Sequence, residues 1–171
     1  MAQSYPDLHY DDGPCVEADV FVDATPEAVF AVVSDINLPA RFSSEFQGAR
    51  WLEPSTGPVI GASFVGRNAH PSAGEWETTC TVIEHDPPHV FAYAVQGLEG
   101  DVSSTWRFVV EPEGSGCRLR QWMEMGPGRS FISLAIEAMP ANESRILNRR
   151  VREHRENMEA NLAGVKEMLE A

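Results

Sequence analysis

At 171 residues, 43% of them hydrophobic, the chain has room for one domain with a real core and a cavity inside it. A formal net charge of −13 argues against nucleic acid or an anionic membrane surface as partner, because both require a basic footprint. No stretch reaches the roughly 20 apolar residues of a membrane span, and residues 1–13 lack the basic and apolar regions of a targeting signal, so a cytoplasmic location is expected.

Residues 1–13 (MAQSYPDLHYDDG) are polar and aperiodic, and read as an N-terminal tail that orders only by docking; residues 14–171 read as a single domain. From Cys15 to Val22 the sequence alternates, with Val16, Ala18, Val20 and Val22 on one face, which predicts a half-buried strand. Thr25-Pro26-Glu27 then supplies a helix cap, a first-turn proline and an acid at the positive end of the dipole. Val29, Phe30, Val32 and Val33 form the buried side of that helix. A second short helix is predicted over 39–46, with Phe42 and Phe46 four apart on one face.

From Gln47 onward the period changes to two. Strands are predicted over 49–52, 62–70, 75–84, 90–96, 103–111 and 117–125, separated by Pro- and Gly-rich turns short enough to make an antiparallel meander. Residues 129–139 predict a short helix with Phe131, Leu134 and Ala138 on one side, closed by Pro140. With Asn142 as its cap, the last helix covers Glu143 to Glu170, where Leu147, Val151, His154, Met158, Leu162, Val165 and Leu169 recur at three- and four-residue steps. These spacings also fit a heptad seam, but seven strands precede the helix and need covering, which favours a helix packed on its own sheet.

Cys15, Cys80 and Cys117 are odd in number and scattered through strand-like runs, so they are expected to be reduced and buried. No CxxC or paired Cys/His spacing points to zinc, and His85 and His89 flank Pro87-Pro88 and make a poor metal pair. Gly126-Pro127-Gly128 is no phosphate cradle and no serine lies in GxSxG. No metal and no cofactor are expected.

Four phrases, VFVDATPEAVFAVVSDINLPARF, GASFVGRNAH, GEWETTCTVIEHDPPHVFAYAV and STWRFVVEPEGSGCRLRQ, together with the element order, resemble the START-like or SRPBCC superfamily of polyketide cyclases and small hydrophobic-ligand carriers. The likeness covers residues 15–125 and the pattern of the final helix. It implies an α+β helix-grip fold: a seven-stranded curved antiparallel sheet wrapped around the long C-terminal helix, with two short helices after the first strand. It also implies a cavity between sheet and helix.

Strand alternation names the lining of such a cavity independently. The inward sets supply Phe64, Asn68, Trp76, Thr78, Tyr93, Ser104, Trp106, Phe108, Gln121 and Met123, and the helix supplies His154 and Met158. Apolar walls with a few convergent polar groups suit a hydrophobic or aromatic, oxygenated small molecule, which is the expected partner. An enzyme of the cyclase or dehydratase kind is the alternative, with Tyr93, His154, Gln121 and Asn68 as acid/base or hydrogen-bonding candidates. A partner-binding module of the same fold is a third reading. No Tyr/Arg/Asp arrangement of the cyclase kind stands out as a motif.

Arg145, Arg149, Arg150, Arg152 and Arg155 crowd the first half of the last helix, interleaved with Glu153, Glu156 and Glu159. Two readings stay open for them, a salt-bridged solvent face and an anion or partner site near the pocket mouth.

Overall fold

A computed structural model describes residues 6–171. Strand β1 (Cys15–Val22) leads into helix α1 (Pro26–Val33), and a 3-10 turn at Leu38–Arg41 precedes β2 (Phe46–Trp51). A meander follows through β3 (Ser63–His70), β4 (Gly74–Asp86), β5 (Val90–Gln96), β6 (Val102–Glu113) and β7 (Gly116–Met125). Helices α2 (Phe131–Ala138) and α3 (Glu143–Glu170) close the chain. All seven strands form one antiparallel sheet in the order β1-β7-β6-β5-β4-β3-β2, so the chain's first strand pairs with its last and β1 and β2 are the edges. This is the helix-grip fold that the resemblance implies.

Helix α1 starts where its cap says it should: the Thr25 hydroxyl accepts a hydrogen bond from Ala28 N at 3.3 Å, and Pro26 fills the first helical position. Such a cap stabilises a helix by about 1 kcal/mol. Val29, Phe30 and Val33 are buried against β6 and its neighbours. On α3 the buried stripe is Leu147, His154, Met158, Asn161, Leu162 and Val165, with Gly164 beside it. Two apolar clusters result. One gathers α1, the sheet centre and Leu162 and Val165; the other joins Tyr10, Val16, Met123, Met125, Leu147 and Met158.

Four local expectations are corrected. The second helix is only the turn at Leu38–Arg41, because the Ser43 hydroxyl accepts from the backbone N of Glu45 and of Phe46 and bends the chain into β2. Cys15 is exposed: the alternation that turns Val16 inward turns its neighbour out. Helix α2 meets the core cluster through Ile132 and Ile136 rather than through Leu134 and Ala138, and Phe131 stays largely exposed, touching Trp76 at the cavity's end. Asn142 makes no side-chain cap; a 3-10 turn at Pro140–Asn142 leads into α3, and the Glu143 carboxylate instead accepts from Tyr10 N at 2.9 Å.

That contact belongs to a docked N-terminal arm. Pro6 O accepts from Asn148 Nδ2 and Ser144 Oγ, and the buried Tyr10 phenol donates to Gly128 O at 2.7 Å. The arm thereby ties the start of α3 to the loop that leads into α2.

Candidate functional site

Between the inner face of the sheet and the middle of α3 lies a cavity of about 440 Å³, within the size range of small-molecule sites. Its walls draw on both apolar clusters, and aromatic rings dominate the sheet side. Tyr93 packs edge-on to Phe64 at 5.2 Å between ring centroids, and Trp51 braces Phe64 from behind at 5.5 Å. Phe46 lies over Gly66, where a Cβ would come within 2.8 Å of the ring, so the small residue makes room for an aromatic wall. At one end Trp76 meets Phe131 of α2 edge-on at 5.8 Å, and Phe131 and Leu98 both line the cavity while remaining exposed.

Three polar side chains stand in this apolar setting. Gln121 of β7 is 2% exposed, Asn161 of α3 is 3% exposed and His154 of α3 is 7% exposed, and all three line the cavity. Strand alternation turns Gln121 inward between Leu119 and Met123, and seven residues separate His154 from Asn161, which stacks them on one face of α3 around Met158. Gln121 Oε1 and Asn161 Oδ1 are buried without a hydrogen-bond partner among the described residues. Each such atom costs about 1–3 kcal/mol unless something satisfies it. The His154 ring packs edge-on against Trp106 at 5.2 Å. Burial, with the Arg150 guanidinium adding to it, holds the imidazole well below its ordinary pKa of 6.5, so it is neutral at pH 7. Burial also pushes the Tyr93 phenol upward and the Cys80 thiol up to about 12, keeping both protonated.

The flank next to the edge strand β2 is closed by the segment Phe42–Phe46, laid along α3. Phe42 packs on Gly164, where a Cβ would fall 2.4 Å from the ring; Ser44 N and Oγ donate to Asn157 Oδ1; and Arg150 donates to both Glu45 oxygens at 2.6 and 2.7 Å. Residues 150, 157 and 164 are seven apart, so one stripe of α3 holds the whole segment. Burial alone would lower the Arg150 pKa, but the Glu45 bonds outweigh it and the group is raised. Elsewhere on the helix Arg149 pairs with Glu153 and Arg152 with Glu156, while Arg155 donates to Glu17 O. The geometry supports the salt-bridged reading for Arg149, Arg150 and Arg152.

The family described as "Polyketide cyclase / dehydrase and lipid transport" matches residues 14–167, nearly the whole chain. The chain belongs to this family. Among solved structures it is similar to the Polyketide_cyc-like protein Cgl2372 of Corynebacterium glutamicum, at 26% identity and a TM-score of 0.65, covering 91% of each chain. It is also similar to the di-domain ARO/CYC StfQ from the steffimycin biosynthetic pathway, at 15% identity and a TM-score of 0.68. That match covers 91% of this chain and 50% of StfQ. The di-domain ARO/CYC BexL from the BE-7585A pathway gives 18% identity and a TM-score of 0.65, over 92% of this chain and 50% of BexL. At those identities StfQ and BexL speak to the fold alone. No curated protein matches the chain.

In this member of the family the cavity is lined by Phe64, Asn68, Trp76, Thr78, Tyr93, Ser104, Trp106, Gln121, Met123, His154 and Met158, each named above from alternation or helical spacing. Phe108 is the exception. It is buried in the α1-side cluster and borders only a small separate void of about 10 Å³, because the sheet's curvature carries that end of β6 under α1. Asn68 Nδ2 donates to Thr78 Oγ1 at 3.5 Å and Trp106 Nε1 to Ser104 Oγ at 3.2 Å, so these polar groups partly satisfy one another.

Sequence reasoning passed over Asn161, Glu45 and Tyr10, which also line the cavity. Asn161 carried a usable signal, since it lies seven residues from His154. Glu45 and Tyr10 reach the site through loop and arm geometry, which periodicity does not encode. Among the described residues, no three His, Cys, Asp or Glu side chains converge to hold a metal ion, and no helix is long and apolar enough to cross a membrane.

Proposed function

We propose that the protein binds a hydrophobic or aromatic small molecule in the cavity between the sheet and α3. The observation that carries this reading is the pair of buried amides, Gln121 and Asn161, whose oxygens lack a partner within apolar walls. A core built only for stability would hold apolar side chains there, because an unsatisfied polar atom is a standing cost. An oxygenated ring system would cover the apolar walls and present polar atoms to these side chains. The family's description, spanning lipid transport and polyketide cyclisation, supports a ligand of this kind. The candidate contacts are the eleven lining residues named above together with Asn161, and a cytoplasmic carrier is the simplest role.

One observation favours a second reading, turnover of the bound molecule. His154 is a neutral imidazole at the cavity wall, whose unprotonated nitrogen can accept a hydrogen bond from a substrate hydroxyl, and Tyr93 is a buried phenol able to donate one. The two readings separate on a single variant: His154→Gln should keep binding and lose any turnover.

Binding itself is tested with Nile red, a neutral fluorophore. Wild-type protein should enhance and blue-shift its emission, and Trp106→Ala, which removes a cavity wall, should abolish the effect while keeping native near-UV circular dichroism. Equal enhancement by the folded variant would refute the site.

A further inference from the structure

The Arg-rich half of α3 meets the cavity at one residue, Arg150, and there the structure spends the charge before any ligand can use it. Arg150 and Glu45 are 14% and 13% exposed at their side chains and form a two-pronged pair, with Glu153 as a second carboxylate at 3.3 Å. Both Arg150 and Glu45 line the cavity. The other arginine on the wall, Arg129, is bound by Glu137 and Glu99. The other acid on the wall, Glu77, is exposed to water on its strand.

The pairing is built in rather than incidental. Glu45 sits on the segment that α3 holds at Gly164 and Asn157 as well, so its carboxylate is delivered to Arg150 by two anchors besides their own bonds. The bidentate geometry engages both Glu45 oxygens and both Arg150 Nη groups, so the two charges are matched, and of the guanidinium donors Nε is buried without a partner among the described residues. The imidazole of His154, packed on Trp106 and one turn from Arg150, faces no carboxylate among the described residues that would charge it.

We propose that Glu45 is a specificity-determining residue that neutralises the cavity, so that the site selects uncharged aromatic molecules over aromatic anions and cations of the same shape. The proposal rests on the binding reading above and adds the charge class of its ligand. An anion entering the cavity finds its cations already paired. A cation finds Glu45 held by Arg150. Either ion would lose its hydration without a buried counter-charge, whereas a neutral ring with a hydroxyl or carbonyl loses little and gains the amides.

The test is competition against Nile red at neutral pH with three naphthalenes of one shape: 2-naphthol, 2-naphthoate and 2-naphthylmethylammonium. Naphthol should displace the dye at least about tenfold more effectively than either ion. An ion that competes within about tenfold of naphthol overturns the proposal. In Glu45→Gln the freed guanidinium should bring naphthoate to within about tenfold of naphthol, and Glu45→Gln/Arg150→Gln should abolish that gain. Unchanged selectivity in folded Glu45→Gln would assign the discrimination elsewhere and overturn the role of Glu45. Should the variants not fold, the wild-type series decides the ligand class and Arg150→Lys, which keeps the charge but loses the fork, decides the pairing: naphthoate must gain relative to naphthol. Failure of wild-type protein to bind Nile red at all would instead defeat the binding reading, a result distinct from loss of selectivity.

Discussion

Replacing Gln121 with methionine should make the protein more stable and a poorer binder. Gln121 lies on β7 opposite Ala18 of β1 and Phe108 of β6, fully inside the molecule, with Oε1 unpartnered among the described residues. Methionine has nearly the same length and flexibility and no polar atom to satisfy. Removing an unsatisfied buried oxygen recovers about 1–3 kcal/mol, and losing whatever the amide nitrogen contributes returns about 1 of these, leaving a net gain of up to about 2 kcal/mol. For a chain of this size that corresponds to a rise in Tm of up to about 8 °C. Urea melts followed by tryptophan fluorescence, checked by calorimetry, measure it. The same variant should bind 2-naphthol more weakly, the exchange of stability for function expected where a polar group is kept for a ligand. A loss of 1 kcal/mol or more on substitution would mean that the amide is satisfied in the free protein, and the argument from unpaired amides would fall.

Gly164→Ala places a methyl group 2.4 Å from the Phe42 ring, so the overpacking cost of about 1–3 kcal/mol should exceed the helix-propensity gain of up to about 1 kcal/mol. Net stabilisation in a denaturation curve would show that Phe42 yields freely and that the segment is not anchored there. Folded His154 resists protonation that the unfolded chain accepts at 6.5, so its contribution is intact above pH 6.5 and is lost as pH falls below it. Wild-type stability should therefore decline more steeply than that of His154→Gln in this range, by up to about 1.4 kcal/mol per pH unit; parallel slopes in urea melts at several pH values would exclude a neutral buried imidazole.

The sequence made the architecture legible because two periods are hard to mistake. The switch from helical spacing in residues 26–33 to alternation after Gln47, and back to a 28-residue stripe in α3, specifies a sheet followed by a covering helix. The same alternation named much of the sheet side of the cavity wall, since a curved sheet has one inner face and inward residues converge on it. Phe108 marks where that logic stops: an inward side chain can face the core under α1 instead of the cavity, and only the curvature decides. Phe42 and Phe46 mark a second limit. Their four-residue spacing suggested a helix, but two hydrogen bonds to the Ser43 hydroxyl redirect the chain, placing one ring on Gly164 and the other on Gly66. The Glu45–Arg150 pair spans 105 positions and follows from that redirected segment, so no local pattern announces it.

The most direct test of the binding account is methyl NMR of protein labelled at the methionine ε-carbons. Met123, Met125 and Met158 are buried and line the cavity, whereas Met139 and Met168 are exposed outside it. Titration with 2-naphthol should shift the first three signals together, saturably and with one affinity, and leave the signals of Met139 and Met168 in place. Shifts confined to Met139 and Met168, or none at Met123, Met125 and Met158 while the compound binds, would contradict a ligand in the cavity between the sheet and α3.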